Sequence, residues 1–393
     1  MIIVVFLLVI LTVVGGIHLY LWKRLVRDTL TGRWRRIGGF GVLALALLIP
    51  VSLIGERFLP QALRPLLAWP GYIWIAVMFY LLVTLAALEI PRLALRWWAR
   101  SPAVSPVLVP TGGPGAATGV ADPSRRLLLA RSAAAVGGFA SLGLTGYGMT
   151  KALGPPDLKR VPVRLAKLPA SMDGFRIAVV SDIHLGPLLG RSHTERIVRM
   201  INGARADIVA IVGDTVDGSV AELGEAAEPL GDLRARLGSF FVTGNHEYFS
   251  GFEPWIEEMR SLGLRVLRNE RVDIEGLDLA GVNDVNGSNY DDGPNYGAAL
   301  GGRDARRPVV LLAHQPVQAH EAAKHGVDLQ LSGHTHGGQM VPFSLIVGLQ
   351  QPLLAGLGTI DGTQVYVTRG AGFWGPPVRV GAPPDISIVE LHS

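Results

Sequence analysis

The chain contains no cysteine among its 393 residues, and charged residues make up only 17% of it. The absence of cysteine excludes disulfide bonds, thiolate nucleophiles and zinc sites built on sulfur ligands. Neither a Walker-type phosphate loop nor a dinucleotide fingerprint occurs, which argues against nucleotide-driven phosphoryl transfer. By contrast, hydrophobic residues account for 49% of the sequence, a high share for a purely soluble protein.

Positive charge is concentrated in the N-terminal third of the chain. Residues 1–126 contain 13 Lys and Arg against 4 Asp and Glu, a net charge of +9, whereas residues 127–393 contain 23 against 28, a net charge of −5. The overall charge of +4 therefore belongs to the apolar N-terminal part and does not indicate nucleic acid as a partner. The mildly acidic remainder suits a site that gathers divalent cations.

Three apolar segments within residues 1–100 predict transmembrane helices: Met1–Trp22, Gly38–Gly55 and Pro70–Ile90. Basic residues follow the first and the third segment. Because Lys and Arg concentrate in cytoplasmic loops, we expect these basic stretches in the cytoplasm and the N-terminus outside. The alternative is a buried helical core, but the charge bias and the three spans agree on a multi-pass protein of the cell membrane, with the lipid bilayer as a partner.

Residues 101–123 are mostly Pro, Gly, Ala and Val without periodicity, which predicts a flexible linker. Residues 124–152 begin with Ser124-Arg125-Arg126 and continue into small and apolar residues. A surface helix is one alternative for this segment. Otherwise it resembles either an internal twin-arginine export signal or a fourth transmembrane helix, and the sequence leaves open which of the two it is and whether it is cleaved. In either case residues 153–393 are expected outside the cytoplasm.

In residues 153–393, short apolar runs alternate with segments of helical spacing such as Ser192–Arg205. Continuous apolar strands of this kind predict buried α/β sheets, in which sites form at the carboxyl ends of the strands. Eight runs predict strands: Phe175–Val180, Asp207–Val212, Phe240–Thr243, Leu277–Val282, Val309–Ala313, Val327–Leu331, Gln364–Thr368 and Ile386–Leu391.

Polar residues follow five of these strands, and seven of their side chains are candidate metal ligands. Oxygen and imidazole donors without sulfur suit Mn, Fe, Zn, Co or Mg. Seven donors are too many for one tetrahedral ion but suit two divalent ions that share a bridging carboxylate, as in sites that catalyse phosphoryl displacement. The candidates are Asp182, His184, Asp214, Asn245, His314, His334 and His336.

The same residues carry a resemblance to a known family. Asp182-x-His184, Gly213-Asp214-x-x-Asp217, Gly244-Asn245-His246-Glu247, His314 and Gly333-His334-x-His336 resemble, in order, the five motifs of the calcineurin-like metallophosphoesterases. The resemblance covers roughly residues 155–393. In addition, Gly337-Gly338-Gln339 and Arg369-Gly370-x-Gly372 are similar to the membrane-tethered branch of that family.

The resemblance implies an α/β fold, a four-layer αββα sandwich, preceded here by an α-helical membrane region. It also implies a dinuclear centre bridged by Asp214, a metal-activated water as nucleophile, and His246 as general acid or stabiliser of the leaving group. By the same similarity, the two ions are held by two sets of ligands: Asp182, His184, Asp214 and His336, and Asp214, Asn245, His314 and His334.

Other residues near these motifs have simpler interpretations. Asp217 is expected to be a turn residue or a neighbouring carboxylate that orients the site, with direct ligation of a metal as the alternative, and Glu247 is expected to support the site without taking part in the reaction. For Arg369, contact with a substrate phosphate and a local ion pair remain alternatives. Three further histidines lie in polar helical stretches and are expected to be exposed: His193, His320 and His325.

The expected function is metal-dependent hydrolysis of a phosphoester by a membrane-anchored enzyme, with a phospholipid-like molecule as one candidate substrate. The alternatives are a pyrophosphohydrolase of a lipid-linked sugar nucleotide and a non-catalytic metal-binding scaffold. The apolar segments Val341–Leu349 and Pro352–Leu354 either guide an amphiphilic substrate or contact the bilayer, or they pack inward or against the membrane helices. The substrate, the native metal and the oligomeric state do not follow from the sequence.

Overall fold

The computed structural model describes residues 2–98 and 123–393. The chain divides into two compact units, Met1–Gly146 and Tyr147–Ser393. Except for Pro123, where a helix begins, the segment predicted as a linker lies outside the described residues.

Long helices form the first unit. Its four α-helices are α1 (Ile2–Leu21), α2 (Gly32–Gly55), α3 (Arg64–Trp98) and α4 (Pro123–Leu153), the last of which continues into the second unit. Within the described part of the chain, three helical stretches are long and apolar enough to cross a membrane: Gly32–Gly55, Gln61–Ala94 and Arg125–Leu153. They contain the second and third predicted spans and nearly all of residues 124–152.

Helix α3 is longer than the predicted span because Pro70 and Pro91 lie inside the helix and do not end it. The first predicted span forms α1, which ends one residue earlier than expected.

Two six-stranded sheets form the centre of the second unit. Their strands are β1 (Asp157–Arg164), β2 (Phe175–Val180), β3 (Ile208–Val212), β4 (Ser239–Val242), β5 (Arg265–Val266), β6 (Glu270–Ile274), β7 (Leu277–Gly281), β8 (Val309–Leu312), β9 (Leu329–Ser332), β10 (Gly356–Ile360), β11 (Thr363–Val367) and β12 (Asp385–His392). All eight predicted strands are present, within two residues of the predicted ends.

The first sheet has the order β1-β12-β2-β3-β4-β5 and the second the order β10-β11-β9-β8-β7-β6. Strands β2 to β5 run parallel, as do β7, β8, β9 and β11, while β6 and β10 pair antiparallel at the edges of the second sheet. The parallel strands of each sheet therefore end at a common edge, where loops can bring polar side chains together.

Helices cover the outer face of each sheet. The helices of this unit are α5 (Arg191–Ala204), α6 (Val220–Ala227), α7 (Asn245–Ser250), α8 (Phe252–Ser261), α9 (Tyr296–Leu300), α10 (Ala319–Lys324) and α11 (Ser344–Val347). Helices α5, α6 and α8 pack on the first sheet, and α9 and α10 pack on the second.

The alternation of side chains between the two faces of each strand explains how sheets and helices stack in layers. In β2, Ile177 and Val179 point into the core between the two sheets, whereas Ala178 and Val180 point toward the helices. Successive side chains of a strand lie on opposite faces, so a strand buried on both faces is apolar throughout. The unit is a four-layer αββα sandwich, as predicted.

Candidate metal centre

The seven candidate ligands lie just beyond the carboxyl ends of β2, β3, β4, β8 and β9. Three of these strands belong to the first sheet and two to the second. A direct contact joins the donors of the two sheets. The backbone N–H of His334, which follows a strand of the second sheet, donates to both carboxylate oxygens of Asp182, which follows a strand of the first, at 3.1 and 3.0 Å. Both sheets thus contribute to one cluster of side chains.

The first group of donors combines Asp182, His184 and His336, all buried. The Nε2 atoms of the two histidines are 3.0 Å apart, and Asp182 Oδ1 lies 3.3 Å from His336 Nε2 and 3.9 Å from His184 Nε2. Two nitrogen ligands at right angles, each about 2.1 Å from one ion, would be separated by about 3.0 Å. The spacing of this group therefore fits a single divalent cation.

The second group combines Asp214, His314 and His334, whose ligand atoms all lie within 4.8 Å of one another. His314 Nε2 is 3.1 Å from Asp214 Oδ2, and the rings of His314 and His334 meet edge to face with centroids 5.1 Å apart. The same Asp214 oxygen is 3.9 Å from His184 Nε2. This carboxylate therefore faces both groups of donors.

Most of the candidate ligands have an unfavourable backbone conformation. A left-handed backbone costs an ordinary residue about 1–2 kcal/mol, although Asp, Asn and His tolerate it better than most. Strained conformations cluster at functional sites, where the direction of the side chains is decisive. The residues concerned are Asp182, His184, Asp214, His334 and His336, with φ of 51°, 50°, 54°, 70° and 52°.

Two buried polar atoms in this cluster, His314 Nε2 and Asn245 Oδ1, make no hydrogen bond of acceptable geometry among the described residues, although His314 Nε2 lies 3.1 Å from Asp214 Oδ2. The other ring nitrogen of His314 donates to the carbonyl oxygen of Val212 at 2.7 Å, so a metal ion at Nε2 would take the place of the second proton, which Asp214 otherwise stabilises there. A buried polar atom without a hydrogen bond costs about 1–3 kcal/mol. A cation would satisfy both atoms, so the residues present fit divalent metal ions.

Asp217 contacts two histidines at once. Its Oδ1 atom lies 2.9 Å from His184 Nδ1 and 2.6 Å from His246 Nδ1. Although burial alone would raise the pKa of Asp217, the nearby His184 and His246 hold that pKa at about 2, so the carboxylate stays charged. A carboxylate that accepts from Nδ1 fixes the ring and directs the Nε2 lone pair of His184 toward the cluster.

Glu247 ties together the loops that follow β3 and β4. Its buried carboxylate accepts hydrogen bonds from the backbone N–H groups of Gly244, Asp214 and Thr215, at 2.6, 2.9 and 2.6 Å. Burial, and then the charge of Asp214, raises the pKa of Glu247 to about 7. The contacts agree with the supporting role expected from the sequence.

His246 lies at the edge of the cluster, and its side chain is 15% exposed. Its backbone N–H donates to Asp214 Oδ1 at 2.8 Å, and its ring meets that of His184 edge to face at 4.7 Å. Burial would lower the pKa of His246, but Asp214 and then Asp217 outweigh it and raise that pKa to about 9. At neutral pH the ring is therefore cationic and can donate a proton.

The other histidines have different electrostatics. Burial lowers the pKa of His334 to about 3 and that of His336 far below its usual range, so both rings are neutral and keep a lone pair. His314 is the exception: Asp214 holds its pKa well above the usual range in spite of burial. A metal ion at His314 Nε2 would supply the positive charge that Asp214 stabilises on this ring.

Arg379 also shapes this site, although no motif in the sequence points to it. Its fully buried guanidinium donates to the carbonyl oxygens of His336, at 2.7 Å, and Gly372, at 3.1 Å, and it lies 2.9 Å from His336 Nδ1. Burial lowers the pKa of Arg379 to about 10, so it remains cationic. The only indication in the sequence is that Arg379 is the sole charged residue between Arg369 and Asp385.

Arg369 is half-buried beside the turn that carries His336. A Cβ atom added to Gly337 would lie 3.1 Å from Arg369 Cγ, which places the arginine stem against that turn. Its backbone N–H donates to Asp385, at 3.2 Å, whereas its guanidinium has no ion pair or hydrogen bond within residues 2–98 and 123–393. The local ion pair, one of the two alternatives, is therefore not formed.

Of the three histidines expected to be exposed, only His320 is. The prediction for His193 is wrong: it is 5% exposed, because it shares the buried stripe of α5 with Ile197 and Ile201. Burial lowers its pKa to about 4. His325 is half-buried, with its ring stacked on Tyr296. None of the three belongs to the two groups of donors.

Comparison with known proteins gives a family model and several relatives. The model described as calcineurin-like phosphoesterase matches residues 175–338. A zebrafish (Danio rerio) protein named "Transmembrane protein with metallophosphoesterase domain" is 40% identical over 63% of this chain and 60% of its own length. A metallophosphoesterase of Helicobacter pylori is 40% identical over 64% of this chain and 68% of its own.

A metallophosphoesterase of Aquifex aeolicus is 36% identical over 60% of this chain and 91% of its own length. The alignment with the zebrafish protein, in contrast, leaves two fifths of that protein unmatched.

Proposed function

Because this chain belongs to the calcineurin-like phosphoesterase family, we propose that it hydrolyses a phosphoester with two divalent cations at the centre described above. The observation that carries the proposal is the convergence of nitrogen and oxygen donors, two of which are buried polar atoms without a hydrogen bond of acceptable geometry among the described residues. The two proposed ligand sets share Asp214: Asp182, His184, Asp214 and His336, and Asp214, Asn245, His314 and His334.

When bound, divalent ions supply Lewis acidity and lower the pKa of water toward neutrality. The chain's own residues would do the rest. Asp214 and Asp217 keep His246 cationic, so that its free N–H can donate to the oxygen of the leaving group. General acid catalysis of this kind contributes typically about 10²–10⁴-fold. Asp217 and Glu247 hold the rings and loops in place.

The donor chemistry limits the metal without naming it. Imidazole and carboxylate ligands without sulfur suit Mn, Fe, Zn, Co or Mg. Members of the family generally depend on divalent metals, and we propose two ions per chain here because the two groups of donors are joined by Asp214.

The test uses the full-length protein in detergent, stripped of metal by a chelator and resupplied with Mn²⁺. We expect hydrolysis of a chromogenic phosphodiester only after the metal is restored, and a loss of several orders of magnitude in Asp214→Asn. His320→Ala is the matched control, because His320 is exposed and belongs to neither group of donors. A folded Asp214→Asn variant with near-normal turnover would contradict the proposal, as would activity unaffected by the chelator.

A non-catalytic scaffold is the alternative from another class. A scaffold needs the metal ligands but has no use for a cationic histidine at the edge of the centre. The position and raised pKa of His246 therefore favour an enzyme. Metal binding without hydrolysis of any phosphoester in a panel would support the scaffold instead.

The proposed substrate is a phosphoester with an apolar part. Exposed apolar side chains follow the turn of His336, namely Leu345, Ile346 and Leu349, and support a lipid-like substrate. The alternative is hydrolysis of the pyrophosphate of a lipid-linked sugar nucleotide. A panel of phosphomonoester, phosphodiester, phospholipid and sugar-nucleotide lipid separates the two, and a preference for small soluble esters would argue against both.

We further propose that residues 153–393 form the catalytic domain and lie outside the cytoplasm, attached to the membrane region by residues 124–152. The distribution of Lys and Arg supports this orientation. A reporter that is active only outside the cytoplasm, fused after Ser393, should be active in cells. Activity of a cytoplasm-specific reporter at the same position would reverse the proposed topology.

A further inference from the structure

An exposed apolar surface lies near the candidate metal centre. We call it the apolar lip and define it as Val341, Leu345, Ile346, Leu349 and Trp374. Leu345 and Leu349 are 74% and 85% exposed, Trp374 is 58% exposed, and α11 contains no buried residue. Inward packing, one of the alternatives left open by the sequence, therefore does not occur for these side chains.

The lip lies in chain segments that carry no charge. No Asp, Glu, Lys or Arg occurs in residues 339–360 or between Arg369 and Arg379. A charged side chain would oppose burial in an apolar phase, whereas exposed apolar patches mark contact with a protein, a ligand or a membrane. The composition of the lip is therefore compatible with contact with lipid.

Contact with lipid requires that backbone polar groups have hydrogen-bond partners within the chain, and N–H groups of the lip have them. The N–H groups of Leu345, Ile346 and Leu349 donate to the carbonyl oxygens of Pro342, Phe343 and Ile346, at 3.0, 2.9 and 3.1 Å. Polar backbone groups without a partner are costly where water is scarce. These three groups need no water, so the segment can enter an apolar layer without losing hydrogen bonds there.

Hydrogen bonds also connect the lip to the last turns of α4. The N–H of Arg379 donates to the carbonyl oxygen of Gly148 in α4, at 3.0 Å. Next along the chain, the N–H of Val380 donates to Gln339, at 2.9 Å, and the N–H of Val341 donates back to Val380, at 3.1 Å. One short segment therefore separates the start of the lip from α4.

Helix α4 indicates what covers the lip. Residues Arg125–Leu153 are long and apolar enough to cross a membrane, and three residues separate Leu153 from β1. Three residues reach at most about 10 Å. A span formed by this helix would leave the bilayer close to the turns to which the lip is bonded, so the nearest apolar phase is the membrane itself.

We propose that the apolar lip rests in the interfacial layer of the membrane that anchors the chain, with its apolar side chains among the lipid acyl chains. Trp374 suits this position, since tryptophan is enriched where a membrane meets water. The ring of Trp374 lies 5.9 Å from that of His246. A docked lip therefore holds the metal centre at the level of the lipid head groups. The inference concerns membrane contact and does not depend on hydrolysis.

The lack of cysteine provides a direct test. Leu345→Cys and Leu349→Cys in the full-length chain are each labelled with an environment-sensitive fluorophore and reconstituted into phosphatidylcholine vesicles with one-fifth phosphatidylglycerol. Lipids that carry a nitroxide on the acyl chain should quench both labels several-fold more than a label at Ser261→Cys. Ser261 is the control because it is exposed on α8, in the polar segment that ends that helix.

Quenching at the two lip positions no greater than at Ser261 would overturn the proposal. Energy transfer between labelled copies, together with weak quenching by lipid, would likewise overturn it in favour of a second copy that covers the lip. Each labelled protein must unfold at the same temperature as the unlabelled chain. If a label at one position fails this criterion, Trp374→Cys replaces it, with the same expected quenching.

Discussion

The substitution Asp217→Asn tests how the centre is organised without removing any proposed ligand. One oxygen of Asp217 lies 2.9 Å from His184 Nδ1 and 2.6 Å from His246 Nδ1. The amide keeps the shape of the side chain but removes its charge. We expect two effects: a weaker orientation of the His184 ring toward the metal and a lower pKa of the His246 ring.

The structure gives the size and direction of both effects. Loss of a group that orients a metal-binding histidine typically lowers metal affinity or activity about 10–100-fold, or about 1.4–2.7 kcal/mol. Asp217 is one of the carboxylates that raise the pKa of His246 to about 9. His246 is protonated below that pKa and loses its proton above it, so the neutral amide moves the alkaline limb of the pH–rate profile to lower pH.

The assay measures Mn²⁺ affinity and kcat/KM for a chromogenic phosphodiester across pH 6–10. Asp361→Asn is the matched control, because Asp361 also lies 2.6 Å from a histidine, His320, but that pair is exposed. Exposed ion pairs contribute about 0–1 kcal/mol, so the control should match the wild-type protein. An Asp217→Asn variant with unchanged metal affinity and an unchanged alkaline limb would refute the proposed organisation.

Three further predictions concern single positions. His246→Ala should lower turnover most for substrates with poor leaving groups, such as alkyl phosphates, and equal losses for good and poor leaving groups would contradict an acid role. Gly244→Ala should impair metal binding, because its Cβ would lie 2.2 Å from Asp214 Oδ1, whereas Gly203→Ala, with open space around it, should not. Arg379→Met should lower the unfolding temperature, since carbonyl groups that lose a buried donor cost about 1–3 kcal/mol each, and an unchanged melting curve would contradict this account.

The sequence predicts the interior of the two sheets but not their edges. The four strands that it does not reveal are β1, β5, β6 and β10, and each lies at an edge of its sheet. An edge strand is partly exposed and carries polar residues, as in β1, where one residue of eight is buried. The apolar pattern that identifies interior strands is therefore absent at the edges, although the pairing of the backbone is the same.

Some residues of the metal centre could be predicted from the sequence, and others could not. The ligand candidates are short polar clusters directly after apolar strands, and this arrangement can be recognised in the sequence. Arg379 cannot be recognised in the same way, because its partners are mainly backbone carbonyl groups brought together by folding. The sequence does contain an indication that His193 is buried, since Ile197 and Ile201 follow it at helical spacing. The polar residues around His193 obscure this pattern.

The central claim is that two metal ions per chain form the catalytic centre. It is tested most directly by measuring the number of bound ions and the turnover together. Full-length, metal-free protein is titrated with Mn²⁺ while bound metal and hydrolysis of a chromogenic phosphodiester are measured on the same samples. The proposed centre predicts that activity reaches its maximum at two ions per chain and that Asp214→Asn binds fewer than two and remains inactive. Full activity with one ion or none, or two ions and normal turnover in Asp214→Asn, would contradict it.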